Sequence, residues 1–212
     1  MEHETNHIAR FTKMKEVLEH RLQSVVLIVE ATYMRHNLSA MFRTAESFGI
    51  QNVYFVCSKN IYSSSASRGS ERWLNVKIVN SIEEIVQKLK KEGFSFFIAD
   101  FKEKSFNPNT VPIENKIAIC MGTELTGVSE KAKTLADGVI QIPMHGFTQS
   151  LNVSVATACI LQAVTERRRD FLGTTGDLPQ QEKELMLQKW ISREENLQKQ
   201  IEEMFGNVSK YE

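Results

Sequence analysis

Apolar positions along the chain alternate between two kinds of segment. Continuous runs rich in Val, Ile and Phe occupy residues 25–31, 52–57, 76–79, 94–100, 116–122 and 139–144. Such unbroken runs predict strands covered on both faces rather than half-exposed ones. Between them the spacing changes to that of helices. Residues 1–22 carry Ile8, Phe11, Val17, Leu18 and Leu22 in a polar background and predict an N-terminal helix. Residues 37–48 predict a helix with Asn37 as cap and Gly49 as stop, and Leu38, Met41, Phe42 and Ala45 form its apolar face. Ser81 caps a helix reaching Lys91 and stopped by Gly93, and further helices are predicted at 129–136 and 151–171. Gly173, Gly176 and Pro179 mark a break before a charged final helix, 179–205.

Strand and helix thus alternate, which predicts an α/β fold with a parallel sheet flanked by helices. The loops after strands 94–100, 116–122 and 139–144 put Asp100, Gly122 and Met144 at strand carboxyl ends. Ligands bind there in open parallel sheets, so three segments are expected to share one site. A length of 212 residues fits one main domain with helical extensions. We divide it into a 1–22 helical extension, a 23–171 core domain and a 172–212 helical extension.

Composition narrows the class. No run approaches the roughly 18 apolar residues of a membrane span, and the polar N-terminus lacks a signal-peptide core, so a cytoplasmic protein without a membrane partner is expected. Cys57, Cys120 and Cys159 each sit within an apolar run and read as small buried hydrophobes. There is no Cys-x-x-Cys and the five His are dispersed, so no metal site is expected. Lys and Arg number 26 against 26 Asp and Glu, a balance that counts against a nucleic-acid partner. The distribution is more permissive. From Arg35 to Arg72 five cations face two acids, and Arg167-Arg168-Arg169 form a second cluster, readable either as a solvated helix end or as an RNA contact. The loop Gly122-Thr-Glu-Leu-Thr-Gly127 lacks the Lys-Ser/Thr of a phosphate loop, and Gly-x-Gly-x-x-Gly is absent.

Chemistry concentrates in three segments. Gln141-Ile-Pro-Met-His-Gly-Phe-Thr-Gln-Ser-Leu-Asn-Val-Ser-Val-Ala156 packs more hydrogen-bonding capacity into a strand-to-helix loop than a turn needs. Ser150 there is either an N-cap or a functional hydroxyl. The others are His36-Asn-Leu-Ser-Ala-Met-Phe-Arg-Thr-Ala-Glu-Ser-Phe-Gly-Ile50 and Ile117-Ala-Ile-Cys-Met-Gly-Thr-Glu-Leu-Thr-Gly-Val-Ser129. In this order they resemble the motifs of the SpoU branch of the SPOUT methyltransferases, and look most like the TrmH-type tRNA ribose 2′-O-methyltransferases. Ser67-Arg-Gly-Ser-Glu-Arg-Trp73 resembles an element of the tRNA-specific subgroup. The resemblance covers roughly residues 10–170.

It implies a C-terminal deep trefoil knot, a homodimer with the site at the subunit interface, and S-adenosyl-L-methionine as methyl donor. It implies tRNA as partner, with the D-loop guanosine at tRNA position 18 as the target. The alternatives are another RNA, such as ribosomal RNA, or a non-catalytic RNA-binding relative. Carried over residue by residue, Arg43 is the catalytic group, Asn37 and Glu124 its orienting neighbours, and Ser150 and Asn152 fix the motif loop and the acceptor ribose. Asn37 has a second reading as a helix cap, and Arg43 as a surface or ion-paired Arg. Gly122, Ile142, Met144 and Leu151 belong to the donor pocket, with glycine at 122 letting backbone approach the ligand closely. Asp100 stands in the same pocket where the family has a small or polar residue. Arg168 matches a tRNA-contacting Arg, but Glu166 replaces a second one. Arg10, Arg21, Arg68, Arg72, Arg167 and Arg168 are the expected RNA contacts.

Overall fold

The computed structural model describes residues 2–30, 35–57 and 70–206. The chain falls into two compact units, Arg21–Asp177 and Met1–His20 with Leu178–Glu212. The larger unit is built on β1 (Leu22–Glu30), β2 (Ile50–Val56), β3 (Asn75–Val79), β4 (Phe94–Ala99), β5 (Lys116–Met121) and β6 (Gly138–Ile140). All neighbours in the sheet pair in parallel, in the order β3-β2-β1-β5-β4-β6. Its helices are α2 (Arg35–Ser47), α3 (Ile82–Lys91), α4 (Glu130–Leu135) and α5 (Val153–Leu172).

The unbroken apolar run of β1 is explained by its place near the middle of the sheet. Val25, Leu27 and Val29 join a core cluster with Leu38, Met41 and Phe42 of α2 and Ile160, Leu161 and Val164 of α5. Val26 and Ile28 point the other way, into a cluster with Ile82, Ile85, Val86 and Leu89 of α3 and Ala132 of α4. With both faces covered, every side chain of the run leaves water, at about 1.5–3 kcal/mol for each fully buried Val, Leu or Ile.

The path from β4 to β5 positions the site. After Ala99 the chain passes outside β6, where Phe106 bridges Ile140 and exchanges backbone hydrogen bonds with Val139 and Gln141. It returns through the fully buried Val111 to start β5 beside β1. The ends of β4, β5 and β6 are thereby brought together at the sheet's carboxyl edge.

Several boundaries differ from expectation. The last strand was expected to reach residue 144 but ends at Ile140, because Gln141 already bonds to Phe106 and Pro143 lacks an N–H for a ladder. Helix α5 starts at Val153 rather than Leu151, because Asn152 and not Ser150 is its cap: Oδ1 of Asn152 accepts from Ser154 N at 2.8 Å. Asn37 lies inside α2, so its cap reading is also corrected. Cys57 and Cys120 are buried as expected. Cys159 is exposed, because it lies one turn after the exposed Val155 on the outer face of α5.

In the smaller unit α1 (Glu2–Glu19) packs on α6 (Gln180–Gly206), with an Arg10–Glu194 ion pair of 2.7 Å. Among the described residues no helix is long and apolar enough to cross a membrane.

Candidate active site

A cavity of about 590 Å³ opens at the carboxyl ends of β4, β5 and β6, within the usual size range of small-molecule sites. Ala99, Met121, Ile140, Ile142, Ala156 and Ile160 supply apolar walls. Asp100, Gly122, Met144, Leu151, Ser150, Asn152, Glu124 and Asn37 also line it. The structure therefore gathers the expected donor-pocket residues and four of the five expected catalytic residues around one space. Segment 141–152 belongs to neither helix nor strand.

A hydrogen-bond chain runs along the wall of this space. Asn152 Nδ2 donates to Asn37 Oδ1 at 3.2 Å, and Asn37 Nδ2 donates to Glu124 Oε1 at 2.5 Å. Asn37 is almost completely buried, so its amide must find partners, and it finds them in the other two motif segments. Ser150 is exposed and relieved of capping by Asn152, which leaves its hydroxyl at the cavity wall.

The loop after β5 is a tight device. Thr123 and Gly127 exchange backbone hydrogen bonds at 2.9 and 3.1 Å, and Gly127 adopts φ +66°. A Cβ on Gly122 would lie 2.1 Å from the carbonyl carbon of Gly127. Glycine is thus demanded at 122 by the loop's own backbone, and the residue also lines the cavity. Gly122→Ala is expected to lower stability by about 1–3 kcal/mol through overpacking. Thermal unfolding checks this, and an unchanged melting temperature would show that the loop can open freely.

Sequence reasoning missed Glu30. This buried carboxylate at the end of β1 accepts from Ser129 N at 2.7 Å and Ser129 Oγ at 2.6 Å. It anchors the far end of the Glu124 loop at the α4 N-terminus, where negative charge is favoured. An acid closing an apolar strand was the available signal. Cys120, beside it in the core, has its thiol pKa pushed up by burial first and then by the Glu30 charge. Thr123 and Thr126, with hydroxyls 2.8 Å apart, also line the cavity and were not singled out.

Arg43 is exposed on α2, away from the buried face of Leu38, Met41, Phe42 and Ala45, and is not part of the cavity wall. The expected RNA contacts divide. Arg21 is 1% exposed and spends its guanidinium on Glu46 and the Ile50 carbonyl; desolvation lowers its pKa against the opposing pull of Glu46. Arg168 is buried against carbonyls of residues 113–115, and Arg167 donates to Val111 O at 2.8 Å. The surface reading of Arg21 and Arg168 is therefore corrected: their donors are spent within the chain, where they hold the fold. Arg72 is half-buried over the Trp73 ring, and Arg10 keeps an exposed side chain. Arg68 lies outside the described residues. Among the described residues no cluster of His, Cys, Asp and Glu could hold a metal ion.

The sequence matches the model of the SpoU rRNA Methylase family over residues 24–162. The chain is 33% identical to the tRNA (guanosine(18)-2'-O)-methyltransferase of Escherichia coli, over 84% of this chain and 80% of that protein. It is 35% identical to the protein of the same name from Thermus thermophilus, over 76% and 84% of the two chains. The crystal structure of the Aquifex aeolicus TrmH/SpoU tRNA modifying enzyme superposes with a TM-score of 0.78 at 29% identity, covering 88% of this chain and 96% of that one.

Proposed function

The chain belongs to the SpoU methylase family, and from that premise we propose that it 2′-O-methylates a tRNA ribose, the guanosine at position 18 of the D-loop, with S-adenosyl-L-methionine as donor. The observation that carries the reading is the Asn152–Asn37–Glu124 chain. It ties three separate motif segments together at the wall of one cavity. The relatives that act on guanosine 18 match most of the chain, which supports the choice of target.

The residues present fit the donor. The apolar wall from Ala99 to Ile160 suits a flat purine, and backbone groups near Ile142 and Leu151, free of helix or strand, suit its polar edge. When bound, S-adenosyl-L-methionine supplies a methyl group on a sulfonium, which needs no further activation. What remains for the chain is to align the ribose and take up its proton. Ser150 and Asn152 hold the acceptor ribose at the cavity mouth. Held there, the ribose 2′-oxygen would be aligned to take the sulfonium's methyl, with S-adenosylhomocysteine as the leaving group, while giving up its own proton. Arg43 serves this step by stabilising the developing negative oxygen, or by accepting the proton once its environment in the assembled site holds it as neutral guanidine. Asn37 and Glu124 keep the loops in register.

An exposed Arg43 outside its own cavity fits a homodimer with the site at the interface. Leu125, Phe147, Leu151 and Val155 are large exposed apolar residues on the two loops that supply cavity residues and on α5, and a second protomer would cover them. We take the C-terminal segment to be knotted through the β4–β5 crossover as the resemblance implies. The cytosol, where tRNA and donor meet, is the proposed compartment. Arg10 and Arg72 remain the candidate RNA contacts.

Purified protein, unmodified tRNA and the donor test this directly. Mass spectrometry of nuclease digests should find one 2′-O-methylguanosine, at position 18, and a transcript with 2′-deoxyguanosine there should stay unmodified. Methylation confined to ribosomal RNA, or no methylation of either RNA, would overturn the proposal.

A further inference from the structure

Among the described residues two carboxylates line the cavity, Glu124 and Asp100. Glu124 is engaged by Asn37. Asp100 stands apart from that chain, one residue beyond the end of β4, and the methyl-transfer step has no use for it. We propose that Asp100 recognises the ribose diol of the methyl donor, a reading that rests on the function proposed above.

The side chain is held as a rigid acceptor. The Asp100 backbone N donates to Ile140 O at 3.2 Å, tying the residue to β6. Oδ1 accepts from Phe101 N at 2.8 Å. Oδ2 lies 3.4 Å from Lys133 Nζ of α4, which also bonds Glu130 Oε1 at 2.9 Å. The carboxylate is thus gripped on two sides yet keeps a quarter of its side-chain surface open, at the cavity wall. An ionised carboxylate offers about four lone-pair positions. Two are taken here, and the two left over match the two O–H donors of a vicinal diol.

Position adds to the match. Ala99, which precedes Asp100, and Ile140, its partner on β6, belong to the apolar wall. A purine laid on that wall carries its sugar to the rim, within reach of an acid there. A carboxylate at a strand's carboxyl end is a general solution for ribose hydroxyls in α/β sheets. Glu124 is bound in the Asn37 chain, so Asp100 is the acid left for this task.

The experiment is calorimetry with three ligands: S-adenosylhomocysteine, 5′-methylthioadenosine, which lacks the amino-acid end, and the 2′,3′-dideoxy form of the latter. Asp100→Asn keeps the acceptor for Phe101 N and removes the charge. It should weaken S-adenosylhomocysteine and methylthioadenosine alike by about tenfold, the loss of one charged hydrogen bond. The dideoxy compound should bind wild type and variant equally. Asp100→Ser, with a shorter neutral side chain, is the second variant and should give the same ligand order. A loss for S-adenosylhomocysteine alone would assign Asp100 to the amino-acid end and overturn the proposal, as would unchanged binding of both. If wild type binds none of the three, the proposed function itself fails, which is a separate outcome.

Discussion

Arg43→Ala is expected to lower methyl transfer by a factor of about a hundred to a thousand, the usual loss when one group stabilising a developing oxyanion is removed. Donor binding and melting temperature should hardly change. Arg43 is exposed and contributes nothing to the buried face of α2, so its removal opens no hole. Arg43→Lys should recover little, because an ammonium cannot reproduce the planar fork that grips an oxyanion or phosphate from two points. Single-turnover rates and donor calorimetry on the same preparations separate the two effects. Activity within a few-fold of wild type would return Arg43 to the status of a surface residue. The proposed dimer adds a sharper test. Arg43→Ala and Asn152→Ala homodimers should each be inactive. If Arg43 reaches across the interface, a mixed dimer assembles one site with both residues intact and regains activity. If Arg43 acts within its own protomer, mixing restores nothing.

Most of the fold was legible because its signals are local. Fully covered strands such as β1 and β5 write unbroken apolar runs, and Ser81 caps α3 by accepting from Glu84 N at 3.2 Å, as its place before an amphipathic run suggests. Boundaries failed where a distant segment decided them. The end of β6 is set by Phe106, some thirty residues upstream, which takes the edge and leaves segment 141–152 free to shape the cavity. No pattern within residues 139–144 carries that information.

The site divides along the same line. Asn37, Glu124 and Asn152 could be named from their motifs, and their placement around one cavity accords with the rule that parallel sheets bind ligands at strand carboxyl ends. What each does there was not legible. Asn37 looked like a cap but sits buried between two loops. Gly122 lines the cavity as expected, but the demand for glycine made by its own loop was not visible in the sequence. Charge misled most. A string of arginines on a helix says nothing about which of them faces water, since that depends on where the β4–β5 crossover passes. Three consecutive arginines of α5 in fact reach three different stretches of carbonyls: Val111, residues 113–115, and Phe48 with Thr175.

Arg168 therefore carries the second large expectation, and it concerns stability. Its Nη1 donates to the carbonyls of Ile113, Glu114 and Asn115, its Nε donates to Ser24 Oγ at 3.1 Å, and the guanidinium lies 5.4 Å from the Phe171 ring centre. The residue is 5% exposed. Truncation to Ala would strand these acceptors beneath α5, at about 1–3 kcal/mol for a buried group left without a partner. Some acceptors will find water in the vacated space, so a total of roughly 3–5 kcal/mol is expected. That is a large share of a typical domain's stability. Lys should rescue only part of it, since one ammonium cannot span Ser24 and the crossover together. Urea denaturation gives the stability. Filter binding of tRNA across a salt series, on protein shown to be folded, gives the other half. A phosphate contact contributes about one unit to the slope of log affinity against log salt, and Arg168→Ala should leave that slope as it is. A flattened slope with unchanged stability would reverse the assignment and put Arg168 on the RNA.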